Sequence, residues 1–483
     1  MKEKMQNDFP FRSIICNSQL IFQDPEIRLN ASSFPPEWIK AKKILEIIKG
    51  KITIEKLSTF TERVFVGARV KRLFVREGEG IPYLMPDDVF TFPLKPRKWV
   101  RKETQDIENW WVQPFTILIT QSGAAGRCLI VNKHFKDKLV SPNMIRVVFN
   151  NQGKEIIGFI YAFLNSSIGQ TFLLKQQYGI TVKHIEPKHI EEMPLALLPN
   201  SDIKEINQKI LEAHKLREEA QELLFKAEKL FYNELKLPVL NEDNIQYFGG
   251  EGGKIVKAFI CESQNLNLRL DAHCQRPIIT KLIDTMTANP NGYLIDLKEI
   301  THNIFIPTRF KRIYVKRPEE GIPFLQGSHI PLIKPFDLKY LWKKTEGVEE
   351  TLLARDWVLL TRSGTVGKTA IVTSSIEGWG ASEHILRIIT KPEINPGYLL
   401  MFLSSIYGNL QVLGKIYGGV VNEIAEKDIS LLEKIKVLMP HEEELQKRIG
   451  NQVREAYEKK DQANKLEEET IKLLERKLEE AAR

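Results

Sequence analysis

Arg309-Phe310-Lys311-Arg312-Ile313-Tyr314-Val315 restates, 240 positions on, the stretch Arg69-Val70-Lys71-Arg72-Leu73-Phe74-Val75. Working outward, Gly80-Ile81-Pro82-Tyr83-Leu84 returns as Gly321-Ile322-Pro323-Phe324-Leu325, and Arg28-Leu29-Asn30-Ala31 as Arg269-Leu270-Asp271-Ala272. Ser122-Gly123 and Gly126 return as Ser363-Gly364 and Gly367, followed by Ile130-Val131 and Ile371-Val372. Gly158 and Phe163-Leu164 match Gly397 and Phe402-Leu403; Tyr178-Gly179 matches Tyr417-Gly418, and Pro199 matches Pro440. The order is kept and the offset drifts only between 239 and 241. Solenoid repeats run to about 20–50 residues, so a period this long means two domains of one fold in a single chain.

Each half has the same internal order. An extended, basic, aromatic-rich section carries short β-type runs, Phe115-Thr116-Ile117-Leu118-Ile119-Thr120 and Trp357-Val358-Leu359-Leu360-Thr361. A Ser-Gly-x-x-Gly turn follows, then a short strand, Cys128–Val131 or Thr369–Val372. Next comes an apolar helix around Phe159–Lys175, matched by Tyr398–Lys415, and each half closes with a proline and a long amphipathic helix. The pattern predicts an α+β fold.

The first long helix is predicted to open at Asp202, with Glu205 three positions on in a capping-box-like start. Its apolar residues, Ile203, Ile206, Ile210, Ala213, Leu216, Ala220, Leu223, Ala227, Leu230 and Leu235, fall mostly three and four apart. The second runs from about Glu442 to Ala482, with Leu445, Ile449, Val453, Ala456, Ala463, Leu466, Leu473 and Leu478 on one face. Helices of roughly 35–40 residues extend about 50–60 Å, more than one such domain can cover. Pairing with each other, antiparallel, buries both seams. Tyr247-Phe248-Gly249-Gly250-Glu251-Gly252-Gly253 reads as a flexible joint between the halves.

The 483 residues suffice for two to four domains, and 42 % apolar with 27 % charged residues excludes disorder as the main state. The net charge of +8 suits a polyanionic partner. Its placement says more. From Arg63 to Lys102 ten basic residues face four acidic ones, and from Phe305 to Thr345 nine face three, a net of +6 each time. The last helix, from His441 to Arg483, carries twelve acidic and ten basic residues, so the surplus belongs to the repeated globular parts. Clustered Arg and Lys neutralise phosphates, and each half supplies one cluster. Cys16, Cys128, Cys261 and Cys274 form no C-x-x-C pair; they read as buried small hydrophobes in a reducing cytoplasm. The N-terminus has no apolar stretch of signal-peptide length, and Ile156–Leu164, the most apolar run, is too short to cross a bilayer. A soluble, cytoplasmic protein is the expectation.

Arg362-Ser363-Gly364-Thr365-Val366-Gly367-Lys368-Thr369 looks like the end of a phosphate-binding loop, but that motif needs glycine where Arg362 stands. Tight turns between strands, with glycines at positive φ, are the better reading. Such turns present Gln121, Ser122 and Arg127, or Arg362, Ser363 and Lys368, to a DNA groove. Together with Arg69, Lys71, Arg72, Arg97, Lys98 and Lys102 in the first half and Arg309, Lys311, Arg312, Lys343 and Lys344 in the second, they are the candidate DNA-binding residues. No Asn/Asp-Pro-Pro-aromatic tetrapeptide, nuclease carboxylate–lysine cluster or H-E-x-x-H is present. Pro86-Asp87-Asp88 reads as a turn, and His184 and His384 as surface or hydrogen-bonded residues. No catalytic or metal site is assigned.

Two tandem domains, each followed by a long helix, resemble the specificity subunits of type I restriction–modification enzymes. Trp357 to Gly367 is similar to that family's strand-and-turn signature. Ile435-Lys436-Val437-Leu438-Met439-Pro440 with Glu444-Leu445-Gln446-Lys447-Arg448-Ile449 is similar to its entry into the long helix. The first copy departs, with Gln121 for the arginine and Asn207 where the second has Gln446. The resemblance implies two target-recognition domains in pseudo-two-fold relation, 27–200 and 266–440, separated by a long antiparallel two-helix coiled coil of 201–236 and 441–483. An N-terminal segment, 1–26, and a glycine-rich linker, 237–265, complete the chain. Each domain would read one half of a split, asymmetric double-stranded DNA target. The helices would set the spacing and dock two methyltransferase subunits. The chain itself would be non-catalytic and without a cofactor. S-adenosylmethionine would belong to the methyltransferase partners and ATP with magnesium to a restriction subunit, where present. A nuclease or methyltransferase acting alone, or a scaffold binding RNA or an acidic protein, stays open as the alternative.

Overall fold

The computed structural model describes residues 36–175, 184–240, 245, 258–261, 272, 274–416 and 422–483. The matched positions at 28–31, 178–179 and 417–418, most of 269–272, the N-terminal segment, the joint at 247–253 and Cys16 lie outside the described residues. The chain divides into two compact units. Unit 1 takes residues up to Val89, Lys95–Lys215 and Lys465–Arg483; unit 2 takes Phe90–Leu94 and Leu216–Asn464.

Among the described residues, unit 1 has helix α1 (Pro36–Ile48) followed by ten short strands. They are β1 (Thr53–Lys56), β2 (Thr61–Val66), β3 (Phe74–Val75), β4 (Ile81–Leu84), β5 (Lys98–Val100), β6 (Ile117–Thr120), β7 (Cys128–Ile130), β8 (Leu139–Val140), β9 (Met144–Phe149) and β10 (Pro194–Leu197). They make a sheet of order β2-β9-β6-β7, a second of order β3-β5-β4-β8, and the pair β1-β10. Among the described strands of unit 1, β4 and β8 pair in parallel and the other pairs are antiparallel. All four residues of β6 are buried, as an uninterrupted apolar run demands of a strand covered on both faces. Helix α2 (Ile157–Asn165) is buried from Ile157 to Leu164 and shares that core.

The single apolar helix expected at Phe159–Lys175 is two helices. α2 gives way to α3 (Ser167–Lys175) with a bend of 69°. Ser166 between them is extended, and its hydroxyl accepts the Gly169 N–H, so it stops one helix and caps the next. After β10 comes α4 (Asn200–Glu234). It opens two residues before Asp202, because the Pro199 carbonyl already accepts the Asp202 and Ile203 N–H groups.

Unit 2 repeats the order. Helix α5 (Pro277–Thr287) precedes β11 (Gly292–Asp296), β12 (Thr301–Phe305), β13 (Tyr314–Val315), β14 (Gly321–Leu325) and β15 (Lys339–Trp342). Then follow β16 (Val358–Thr361), β17 (Thr369–Ile371), β18 (Gly380–Ala381), β19 (Ile385–Thr390), α6 (Pro396–Ser404), α7 (Ile406–Leu413), β20 (Lys436–Pro440) and α8 (Glu443–Ala482). Its sheets are ordered β12-β19-β16-β17, β13-β15-β14-β18 and β11-β20, strand for strand the arrangement of unit 1. Ser405 breaks α6 from α7 as Ser166 breaks α2 from α3, its hydroxyl accepting from Gly408. The expected helix at Tyr398–Lys415 is corrected in the same way.

The repeated Gly158 and Gly397 now have a physical reason. A Cβ on Gly158 would stand 2.6 Å from the Asn207 carbonyl oxygen on α4, and one on Gly397 2.1 Å from that of Gly450 on α8. The long helix passes too close for any side chain there. Asn207 and Gln446, where the two copies differ, do one job. Asn207 accepts the Gly158 N–H at 2.7 Å and Gln446 the Asn395 N–H at 2.9 Å, each at the start of the apolar helix.

Within unit 1, Ile203, Ile206 and Ile210 of α4 share a core with Leu474 and Leu478 of α8, and Lys477 lies 3.3 Å from Asp202. Within unit 2, Arg217 bonds Asn464 and Glu219 bonds Lys459, both at 2.8 Å. Partners descend α8 as they climb α4, the antiparallel sense. The seam is not apolar throughout: Lys460, Asp461, Asn464, Glu467 and Thr470 of α8 are buried. Of the cysteines, Cys128 is buried, while Cys261 and Cys274 are only half-buried, against the expectation of buried hydrophobes. No single helix among the described residues is long and apolar enough to cross a membrane.

Candidate nucleic-acid interface

The glycines of the Ser-Gly-x-x-Gly motif fix its shape. Gly123 and Gly126 have φ of 75° and 89°, and Gly364 and Gly367 have 70° and 85°, in the left-handed region closed to most side chains. Each motif joins two antiparallel strands, β6 to β7 and β16 to β17. A threonine clasps each turn from inside. The Thr120 hydroxyl donates to the Ala124 carbonyl at 2.6 Å and accepts the Arg127 N–H at 2.9 Å. Thr361 does the same with the Thr365 carbonyl and the Lys368 N–H. From the side, Gln170 donates to the Gly126 carbonyl at 2.9 Å and Asn409 to that of Gly367 at 2.7 Å. The turn is thus hydrogen-bonded from inside and from the side, and Gly123 and Ala124, like Gly364 and Thr365, are exposed at its tip.

The candidate residues divide by burial. Arg69, Lys71, Arg72, Arg97, Lys98 and Lys102 are exposed in unit 1, and Arg309, Lys311, Lys343, Lys344 and Lys368 in unit 2. Ser122, Arg127, Arg312 and Ser363 are half-buried, and Gln121 and Arg362 are buried. The Arg362 guanidinium turns inward and donates to the Glu383 and Ile424 carbonyls at 2.6 and 2.8 Å. Burial pulls it below the ordinary arginine value. Arg97 pairs with the buried Asp88, whose other oxygen accepts the Met85 N–H; Pro86-Asp87-Asp88 is thus a capped turn.

In unit 1 the structure brings Leu73–Phe74 beside Lys98, since β3 pairs with β5 and the Lys98 ammonium lies 4.5 Å from the Phe74 ring centre. Arg72 donates to the Tyr83 hydroxyl at 3.0 Å. In unit 2 the contacts reach the hairpin. Arg312 pairs with Glu383, the next residue His384 meets Ser363 Oγ through Nδ1 at 2.6 Å, and His384 Nε2 lies 3.6 Å from Glu383. Burial, then the charges of Arg362, Arg312 and Arg309, hold the His384 imidazole below its ordinary value, against a weaker pull from Glu423. Arg309, Arg312, Arg362, Ser363 and His384 therefore gather at the turn, with Glu383 paired to Arg312 and Glu423 3.8 Å from Arg362. Lys343 sits apart, donating to the Glu319 carbonyl.

The chain is similar to S subunits of type I restriction–modification systems. Over 89 % of this chain and 96 % of that one it aligns with the S subunit from M. genitalium at 14 % identity and TM-score 0.36. The HsdS subunit from Thermoanaerobacter tengcongensis aligns at 11 % identity over 88 % and 96 %, TM-score 0.28. A structure bearing on complex assembly and conformational transition of the type I R-M system aligns at 13 % over 89 % and 97 %, TM-score 0.28. No family model and no curated protein matches the chain.

Several residues that shape this surface escaped sequence reading. Arg146 on β9 and Arg387 on β19 are fully buried and, among the described residues, bond to backbone carbonyls. Arg146 donates to the Val140, Ser141 and Met144 carbonyls, and Arg387 to those of Thr351, Ala381, Ser382 and Ile385. Burial pulls them down to about 10 and about 9, still above neutral, so both stay charged. Each ties its long sheet to the neighbouring parallel strand, β8 or β18, which leads back towards the hairpin. A charged residue at the same place in two apolar strands, Met144–Phe149 and Ile385–Thr390, was the available signal. His384 was read as a surface or hydrogen-bonded residue, and its bond to Ser363 agrees with the second of these; which partner it takes needed the fold.

Proposed function

We propose that this chain is the DNA-specificity subunit of a type I restriction–modification system, a protein that reads DNA and performs no chemistry itself. The observation that carries this reading is duplication at the level of the surface. Both units hold the same pair of four-stranded sheets, the same clasped hairpin, and the same basic strip on β3–β5 or β13–β15. A double-helical target offers two stretches of groove to two such surfaces. The recognition domains are 27–200 and 266–440, and α4 with α8 serves as the spacer between half-sites and the seat for two methyltransferase subunits. Exposed Arg69, Lys71, Lys98, Lys102, Arg309, Lys311, Lys343, Lys344 and Lys368 take phosphates, while Ser122, Arg127 and Ser363 at the hairpin tips reach base edges. Arg362 and Gln121 act from inside, holding the tip. Because unit 2 has a Glu383–His384 pair where unit 1 has Pro142–Asn143, the two half-sites differ.

The test is selection of bound sequences from random duplexes by the full chain, with RNA as competitor. A split motif of two unlike halves, retained against RNA, is the expected result. Equal displacement by RNA with no motif selected would assign a scaffold role, and strand cleavage or methyl transfer by the pure chain would assign a stand-alone enzyme.

A further inference from the structure

Two large apolar side chains stand in the open at the same place in each unit. Leu73 and Phe74 are each 45 % exposed, Ile313 is 44 % and Tyr314 39 % exposed. Single exposed apolar residues are ordinary on protein surfaces and call for no account. These are adjacent pairs, present twice, where an edge strand begins: Phe74 and Tyr314 open β3 and β13, and Leu73 and Ile313 stand just before them. Among the described residues each pair is only partly covered, and each ring is braced from one side. Phe74 meets buried Tyr83 edge-on with centroids 5.9 Å apart, and Tyr314 meets buried Phe324 at 6.1 Å. A lysine from the adjoining strand lies over each ring, Lys98 at 4.5 Å and Lys339 at 5.3 Å. Immediately before each pair come three cations, Arg69, Lys71 and Arg72 or Arg309, Lys311 and Arg312.

An apolar ridge set among cations fits one kind of polyanion. Phosphates take the cations, and the major-groove edge of the base pairs carries a single apolar group, the C5 methyl of thymine. We infer that Leu73–Phe74 and Ile313–Tyr314 are specificity-determining contacts, each packing on the C5 methyl of one thymine in the half-site its unit reads. This rests on the DNA-reading function proposed above and adds to it the base group that each sheet edge recognises. A short edge strand suits the task. Its opening aromatic residue, with the apolar residue just before it, is presented without a long row of unpaired backbone groups offered to another chain. The extra hydroxyl of Tyr314 makes the second ridge more polar than the first, so the two units tolerate different neighbours of that thymine.

The experiment uses the full chain and the duplex selected by it. Thymines are replaced singly by deoxyuridine, which removes the methyl group and nothing else, and affinity is measured for wild type, Leu73→Ala/Phe74→Ala, Ile313→Ala/Tyr314→Ala and the milder Phe74→Leu. Wild type is expected to lose about tenfold in affinity at one uracil position in each half-site, a normal worth for one methyl group in an apolar contact. The first double variant should become indifferent to uracil in one half-site only, the second in the other, and Phe74→Leu should keep part of the discrimination. The replaced side chains are partly exposed but their rings pack on Tyr83 and Phe324, so the double variants should melt somewhat below wild type while Phe74→Leu stays close to it. A selected motif without any uracil effect, or variants that lose affinity equally at every position, would overturn the ridge and leave the DNA-reading function standing. Unchanged uracil discrimination with lost binding of a methyltransferase subunit would make the ridge a protein-docking surface instead. Failure of wild type to select any motif would overturn the function itself, and the ridge with it.

Discussion

Arg146 and Arg387 set the terms at the scale of single residues. A guanidinium buried among carbonyls gives up its water and regains hydrogen bonds in a fixed fork, which a lysine ammonium does not reproduce. Removing it strands several buried acceptors, each costing about 1–3 kcal/mol. Arg387→Leu is therefore expected to destabilise unit 2 by about 3 kcal/mol or more, read as a lower first transition in thermal unfolding, with no rescue by Arg387→Lys. An unchanged melt would remove the arginine from the account of how the two sheets are joined. His384 makes a second, independent expectation. Its imidazole is held below the ordinary 6.5 by burial and by Arg362, Arg312 and Arg309. Between those two values the folded chain binds fewer protons than the unfolded one, so this group's contribution to stability falls as pH drops through about 6.5 towards the folded value. The NMR titration of His384 should have its midpoint below 6.5, and His384→Asn, the residue unit 1 has at the matching position, should flatten that part of the pH–stability curve. A midpoint at or above 6.5 would contradict the gathering of these arginines around His384.

At the scale of elements, the hairpin depends on its threonine clasp. Thr120→Val or Thr361→Val keeps the shape of the side chain and loses both hydroxyl bonds, at a cost of about 1–2 kcal/mol. The expected outcome is weakened, less selective DNA binding through the altered unit, with faster hydrogen exchange at Arg127 or Lys368 N–H; unaltered exchange would show that the glycines alone fix the turn. How much was readable beforehand also separates by element. Strand β6, the Ser-Gly-x-x-Gly turn and the extent of α8 were legible, because unbroken apolar runs, required positive φ and three-four spacing are local signals. The break at Ser166 and Ser405 was not. Both serines sit inside apolar stretches, and only the bend that buries α2 and α6 turns them into caps. The polar stretch of the α8 seam escaped for a related reason: Asp461 is stabilised by Thr373 and Glu467 by Tyr161, partners 88 and 306 positions away in sequence. Candidate cations were identifiable by type, but which of them face inward was not, since Arg362 takes its carbonyl partners from residues that only the fold brings near.

At the scale of the whole molecule, the proposed spacer makes an expectation of its own. Seven residues inserted at matched places in α4 and α8 lengthen each helix by about 10.5 Å, close to three base pairs at about 3.4 Å per pair. The half-sites should keep their bases while the gap between them widens by about three; altered bases with an unaltered gap would refute the spacer role. The central claim, that this chain chooses the DNA sequence on which partner subunits act, has a more direct test. The chain is expressed with a type I methyltransferase subunit in a host free of adenine methylation, and methylated adenines are mapped genome-wide. A single motif of two unlike half-sites around a fixed unread gap, absent when this chain is omitted, is the result the account requires. Methylation at no defined motif, or at the same motif without the chain, would contradict it.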